Sequence, residues 1–179
     1  MKITAFAGSN SKNSINKQLV THTAHLFQEQ ATQVLDLNDF EMPLYGIDLE
    51  NEYGIPKSVI DFSNILKESD LLIISLAEHN GAYATVFKNL FDWLSRVEGT
   101  KGFHNKPIFL MATSPGARGG SSVLEIAKGR FPYNDGPVID TFSLPSFSSN
   151  FNSETGITDT ALKAELDAKI KNIKTQLNS

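Results

Sequence analysis

The stretch Leu71-Leu72-Ile73-Ile74-Ser75-Leu76-Ala77-Glu78-His79-Asn80-Gly81 changes character within eleven residues. Its first half is a nearly unbroken apolar run, short and flanked by polar residues, as expected of a strand buried on both faces of a sheet. Its second half places a carboxylate, an imidazole, an amide and a glycine directly beyond that strand. The apolar half recurs at residues 3–7, 108–112 and 138–142, and more weakly at 33–37. Between these runs the apolar spacing is helical. Ile15, Leu19 and Leu26 lie near one stripe, as do Val59, Phe62 and Leu66; Val86, Leu90, Leu94 and Val97 form another; Leu162, Leu166, Ile170, Ile173 and Leu177 form the last. A further helix is predicted over residues 120–129. Five strands interleaved with five helices predict an α/β fold, a doubly wound parallel sheet with helices on both faces, in one domain over residues 1–179. Residues 38–54 and 144–156, rich in turn formers, are expected to be irregular.

Composition narrows the function. With 40% hydrophobic and 20% charged residues the chain is that of an ordinary globular protein, and no apolar run approaches the roughly 20 residues that span a bilayer. Sixteen Lys and Arg against twenty Asp and Glu give a net charge of -4, so no overall field draws the protein to nucleic acid or to an anionic membrane. The absence of cysteine excludes thiolate nucleophiles, disulfides and Cys-ligated metals. The N-terminus reads as a first strand ending in a glycine turn, not as a signal peptide, and a cytoplasmic protein is expected.

In such a sheet, ligands bind beyond the carboxyl ends of the strands, at the switch in strand order. The loop after the first strand, Gly8-Ser9-Asn10-Ser11-Lys12-Asn13-Ser14-Ile15-Asn16, offers hydroxyls, backbone N–H groups and the positive end of a helix. Those are the requirements of a phosphate cradle, and equally of a polar turn with Ser14 or Asn13 as N-cap. Neither G-x-G-x-x-G nor the P-loop pattern is present. The loop after the fourth strand, Ser114-Pro115-Gly116-Ala117-Arg118-Gly119-Gly120, forms a shaped backbone surface suited to the polar edge of a ring.

These three loops, with Lys88-Asn89 and Asp92-Trp93 in the following helix and Met42-Pro43-Leu44-Tyr45 after the second strand, resemble those of the NADPH-dependent FMN reductase family. The resemblance runs from Ile3 to Gly120. It implies a flavodoxin-like fold with strand order 2-1-3-4-5. It also implies that Ser9, Ser11, Lys12, Ser14, Ile15 and Asn16 hold the FMN phosphate. Glu78, His79, Asn80 and Gly81 would line the isoalloxazine ring, and Ser114, Pro115, Gly116 and Gly119 would meet its pyrimidine edge. The implied reaction passes a hydride from NAD(P)H to bound FMN and then to a quinone, free flavin, azo compound or metal oxyanion. The flavin carries the chemistry, so no side chain is assigned as acid, base or nucleophile. A homodimer or homotetramer is implied as well. The alternative is a flavodoxin-type electron carrier that binds FMN without nicotinamide turnover. A receiver would need acidic clusters, and a tyrosine phosphatase of this fold would need a cysteine.

The chain departs from the family pattern at Ser11, where an arginine is common, at His79, where a tyrosine is common, and at Ala84-Thr85, where proline and glycine often stand. A weaker hold on FMN is expected from the first, since Lys12 offers a point charge and not a bidentate fork. Arg118 is open to two readings, a contact to the NADPH phosphate or a brace of its own loop. Trp93, off the Leu90–Leu94 stripe, is expected to face a subunit partner or to pack locally. His22 and His25 are expected to be surface residues.

Overall fold

The computed structural model describes residues 1–27 and 30–177. Its chain order is β1 (Lys2–Gly8), α1 (Ile15–His25), β2 (Ala31–Leu35), α2 (Ile47–Tyr53), α3 (Lys57–Lys67), β3 (Leu71–Leu76), β4 (Glu78–His79), β5 (Ala82–Tyr83) and α4 (Thr85–Leu94). There follow β6 (Ile108–Thr113), α5 (Ser121–Arg130), β7 (Val138–Leu144), α6 (Phe147–Asn150), β8 (Phe151–Asn152), β9 (Gly156–Ile157) and α7 (Thr160–Leu177). The main sheet is parallel throughout, in the order β2-β1-β3-β6-β7. With the two small hairpins β4–β5 and β8–β9 set aside, this is the expected order 2-1-3-4-5.

Strand periodicity divides the core in two. Ile3, Ala5 and Ala7, Leu71 and Ile73, and Phe109 and Met111 face the layer of α1 and α7. Phe6, Leu72, Ile74, Leu76, Leu110 and Ala112 face α3, α4 and α5. Because both faces are covered, β1, β3 and β6 read as continuous apolar runs. Each fully buried Leu, Ile or Phe contributes on the order of 2 kcal/mol.

β2 is an edge strand with two exposed residues, which accounts for its faint signal, and it ends two residues earlier than predicted. Leu37 is buried, but from a short 3-10 turn over Leu37–Asp39. The stretches expected to be irregular contain α2 in one case and α6 with the β8–β9 hairpin in the other; α2 buries no residue, so no apolar stripe announced it. Helix α4 stops at Leu94, before Val97. Trp93 does not face a partner: it is fully buried, and its Nε1–H donates to the Pro43 carbonyl at 2.9 Å.

Candidate functional site

The sheet register brings Gly8, Leu76 and Ala112 side by side, so the loops after β1, β3 and β6 leave the sheet together. The first is a helix entry. Ser14 is the N-cap of α1, its backbone extended and its Oγ accepting from the Lys17 N–H at 3.1 Å. The Ser11 N–H donates to Ser9 Oγ at 3.2 Å, and the Ser14 N–H to the Ser11 carbonyl at 3.2 Å, which folds the loop onto the helix end. Ile15 and Asn16, in the first turn of α1, have N–H groups with no acceptor within the helix.

The Asn16 side chain faces inward. Its Oδ1 accepts from Ser75 Oγ at 2.7 Å and from the Thr113 N–H at 3.0 Å, and its Nδ2 donates to the Thr113 carbonyl at 3.2 Å. One amide therefore fastens α1 to β3 and β6. Its part in the site is to position the helix end, while its backbone N–H remains on the cleft.

The second loop is a hairpin. Glu78 pairs with Tyr83 and His79 with Ala82 across a two-residue turn, Asn80 at φ 52° and Gly81 at φ 79°. Asn-Gly between two extended residues is the strongest short-range signal for such a turn, and it stands openly in the sequence. The Glu78 carboxylate accepts from the Val123 N–H at 3.1 Å, so it caps α5 and meets the positive end of that helix. Beneath the hairpin, burial pushes the Tyr83 phenol up to about 12, so it stays protonated at neutral pH.

The third loop is held from behind by the segment after β7. The Ser146 N–H donates to the Gly116 carbonyl at 3.0 Å and the Phe147 N–H to the Ser114 carbonyl at 3.1 Å. Ser143 Oγ donates to the Gly119 carbonyl at 2.9 Å. Gly119 has φ 57°, and a Cβ there would lie 2.2 Å from Ser143 Oγ, so only glycine fits. Arg118 Nη2 donates to Ser122 Oγ at 2.6 Å, which makes it a brace between loop and helix.

A cleft of about 210 Å³ lies where the three loops meet. Of the predicted residues, Ser9, Ser11, Ser14, Ile15, Asn16, Glu78, His79, Ser114 and Pro115 line it. Asn13, Ala77 and Thr113 line it too and were missed by sequence reasoning. Asn80 and Gly81 stand at the exposed hairpin tip, and Gly116 and Gly119 lie in the third loop away from the cleft wall. Lys12 lines a larger neighbouring cavity of about 480 Å³ between α1 and the β8–β9 hairpin.

A second clamp joins two sequence motifs 44 residues apart. Asn89 Oδ1 accepts from the Tyr45 N–H at 2.8 Å, and Asn89 Nδ2 donates to the Pro43 carbonyl at 3.0 Å, the acceptor that Trp93 also uses. Tyr45 packs edge-on to Trp93 at 5.0 Å, and its hydroxyl donates to Glu50 at 3.0 Å. Hydrogen bonds from Arg96 in turn hold the Glu50 carboxyl below its ordinary value.

The arrangement suits FMN: hydroxyls and free N–H groups at a helix N-terminus for a phosphate, and backbone-rich loops on two sides for a flat ring. A family model described as NADPH-dependent FMN reductase matches residues 1–149. A 2-hydroxy-1,4-benzoquinone reductase from a Burkholderia species is 30% identical over 136 residues, which cover 75% of this chain and 72% of the relative. A quinone reductase of Escherichia coli (strain K12) is 28% identical over 122 residues, 68% of this chain and 64% of that protein. In fold, the chain is similar to the flavoenzyme NAD(P)H:(acceptor) oxidoreductase FerB from Paracoccus denitrificans, with a TM-score of 0.76 and 22% identity over 99% of this chain and 97% of that one. Order of strands and sequence agree: the chain belongs to the NADPH-dependent FMN reductase family and is an NAD(P)H-dependent oxidoreductase.

Proposed function

We propose that this protein is an FMN-dependent NAD(P)H:acceptor oxidoreductase whose FMN phosphate rests on the N-terminus of α1 and whose ring lies between loops 78–81 and 114–119. The observation that carries the reading is the cleft to which all three loops contribute, with a capped helix end as its floor. When bound, FMN would supply the redox chemistry of hydride transfer between NAD(P)H and a second substrate. The protein's own residues bind and orient it. Ser9, Ser11, Ser14 and the first N–H groups of α1 take the phosphate, with the helix dipole compensating its charge. The backbone of the hairpin and of loop 114–119 takes the ring edges, leaving side-chain chemistry out of the reaction.

The acceptor is a two-electron acceptor, a quinone first, with free flavins, azo compounds and metal oxyanions as further candidates; the quinone reductases among the relatives support placing quinones first. Leu44, Ile47 and Tyr53 are exposed apolar residues beside the second clamp, which supports a homodimer or homotetramer. Use of NAD(P)H supports a cytoplasmic setting, and no helix among the described residues is long and apolar enough to cross a membrane.

The test is the visible spectrum of the protein loaded with FMN, followed by anaerobic addition of NADPH and then of benzoquinone. Binding shifts the flavin bands, NADPH bleaches them and the quinone restores them. A bound flavin that NADPH and NADH both leave oxidised would overturn the proposal in favour of an electron carrier.

A further inference from the structure

The cavity of about 480 Å³ is more than twice the volume of the cleft beside it, and the FMN placement leaves it unused. Asn13 and Ser14 line both, so the cavity begins where the flavin phosphate is proposed to end. From there it runs along the outer side of α1 as a groove, with the β8–β9 hairpin as its second wall. Ser14 to His22 spans eight residues of helix, about 12 Å at 1.5 Å per residue. A lone inorganic anion would fill only one end.

The groove is graded in character along that length. At the near end stand the Lys12 ammonium and the positive end of α1. Lys17 is already paired with Asp36, which leaves Lys12 as the cation for an incoming phosphate. Gln18 and Thr21 line the helix wall and Ser153 and Glu154 the hairpin wall, offering donors and acceptors to sugar hydroxyls, with the Glu154 carboxylate an acceptor suited to a ribose and not to a phosphate. At the far end His22 packs edge-on to Phe151, ring centroids 5.6 Å apart at 88°, and forms a ring-lined floor. The floor is tightly built. A Cβ on Gly156 would come within 2.1 Å of the His22 ring, so the hairpin closes on the imidazole only because that residue is glycine. Neither ring nitrogen of His22 has a hydrogen-bond partner among the described residues, and burial lowers its pKa, so the imidazole is available as a neutral donor or acceptor to a base edge.

We propose that this groove is an adenylate subsite, which takes the adenosine 5′-phosphate part of FAD or of NAD(P)H: phosphate by Lys12, ribose by Gln18, Thr21 and Ser153, base against His22 and Phe151. The proposal rests on the placement of the flavin phosphate at α1 for the FAD case, in which the second phosphate continues past Ser14 into the groove.

The test uses the protein freed of flavin, with AMP, FMN, FAD and NADPH as probes. Gln18→Trp and Ser153→Trp fill the groove from opposite walls; both residues are exposed and neither belongs to the proposed FMN contacts. The expected result is that AMP binds the unaltered protein and that each variant weakens AMP about tenfold while FMN affinity moves by less than about twofold. A parallel loss for FAD assigns the adenylate to the flavin. With each protein reloaded with FMN, a matching rise in the KM for NADPH, with FAD affinity of the flavin-free protein unmoved, assigns it to the reductant. AMP that does not bind, or that binds both variants as it binds the unaltered protein, overturns the subsite. If FMN fails to bind while AMP binds and responds to the substitutions, the subsite stands and the placement of the flavin phosphate falls.

Discussion

The two ends of the cleft are built differently. At the helix end the Asn16 amide makes three hydrogen bonds within the protein, tying α1 to Ser75 and Thr113, and Ser14 caps the same turn. At the other end the rim consists of a hairpin tip and a loop whose glycines, Gly81 and Gly116, have open space where a Cβ would stand. A phosphate is the same in every substrate complex and rewards a fixed cradle. A ring face that must admit both a nicotinamide and an acceptor rewards an open one. The comparison predicts that substitutions at the first end cost stability, while at the second a methyl on Gly116 does not; Gly81, at φ 79°, needs glycine for its backbone and not for space.

Asn16→Ala is the largest expected effect. It removes three buried hydrogen bonds and leaves Ser75 Oγ and the Thr113 N–H without their partner, a loss of about 3–4 kcal/mol. Urea unfolding followed by the fluorescence of Trp93, the single tryptophan, measures it. A loss below about 1 kcal/mol would show that the clamp does not organise this end.

Gly119→Ala comes next and marks where the second end stops being free. The new Cβ meets Ser143 Oγ at a backbone conformation that side chains rarely adopt, and about 2–3 kcal/mol of destabilisation is expected in the same unfolding assay. A neutral outcome would extend the tolerant rim to the base of loop 114–119.

Ser14→Ala isolates the cap from the clamp. Loss of the bond to the Lys17 N–H costs about 1 kcal/mol of stability. FMN should weaken by about a further 1 kcal/mol if the hydroxyl also meets the phosphate. Calorimetric titration with FMN checks the second figure; unchanged affinity would move the phosphate off Ser14. Combining this substitution with Asn16→Ala would confound binding with unfolding.

How much of this was legible follows from what each residue does. β1, β3 and β6 were plain because burial on both faces writes itself as an uninterrupted apolar run. β2, at the edge, and α2, on the surface, bury too little to leave such a pattern. At the site, residue types in the loops were readable as a phosphate cradle and ring loops, but side-chain direction was not. Nothing local tells that Asn16 turns inward to partners 59 and 97 residues away, or that Glu78 reaches Val123. Trp93 falls outside the Leu90–Leu94 stripe because its partner is the 42–45 segment, which packs on a second side of α4. The Asn80-Gly81 hairpin is the exception, a local signal that could have been used.

The helix end also carries a pH signature. A hydrogen bond from Lys17 and one from the Asn38 N–H hold the Asp36 carboxyl below its ordinary value. A group depressed in the folded state stabilises above its unfolded pKa, here near 3.8, and that contribution disappears as the pH falls through the folded value. Both partners are partly exposed, so the gain is below about 1 kcal/mol. Lys17→Met should therefore lower the thermal midpoint at pH 7, and that difference should shrink progressively as the pH is taken below 3.8. A difference that does not change across that acid range would place the effect in packing of the lysine stem and not in the ion pair.

Gly116→Ala is the smallest expected effect and the sharpest test of the open rim. Its φ is not in the left-handed region and nothing lies within 4 Å of the added methyl, so stability should stay within about 0.5 kcal/mol of the unaltered protein. The methyl would nevertheless stand on the loop proposed to border the ring, where it can obstruct a stacked acceptor without disturbing the phosphate. The expected pattern is unchanged unfolding, unchanged FMN affinity and a raised KM for the quinone alone. Weakened FMN binding with stability intact would mean that loop 114–119 grips the flavin more closely than its exposure suggests, and the two ends of the cleft would then be more alike than the geometry indicates.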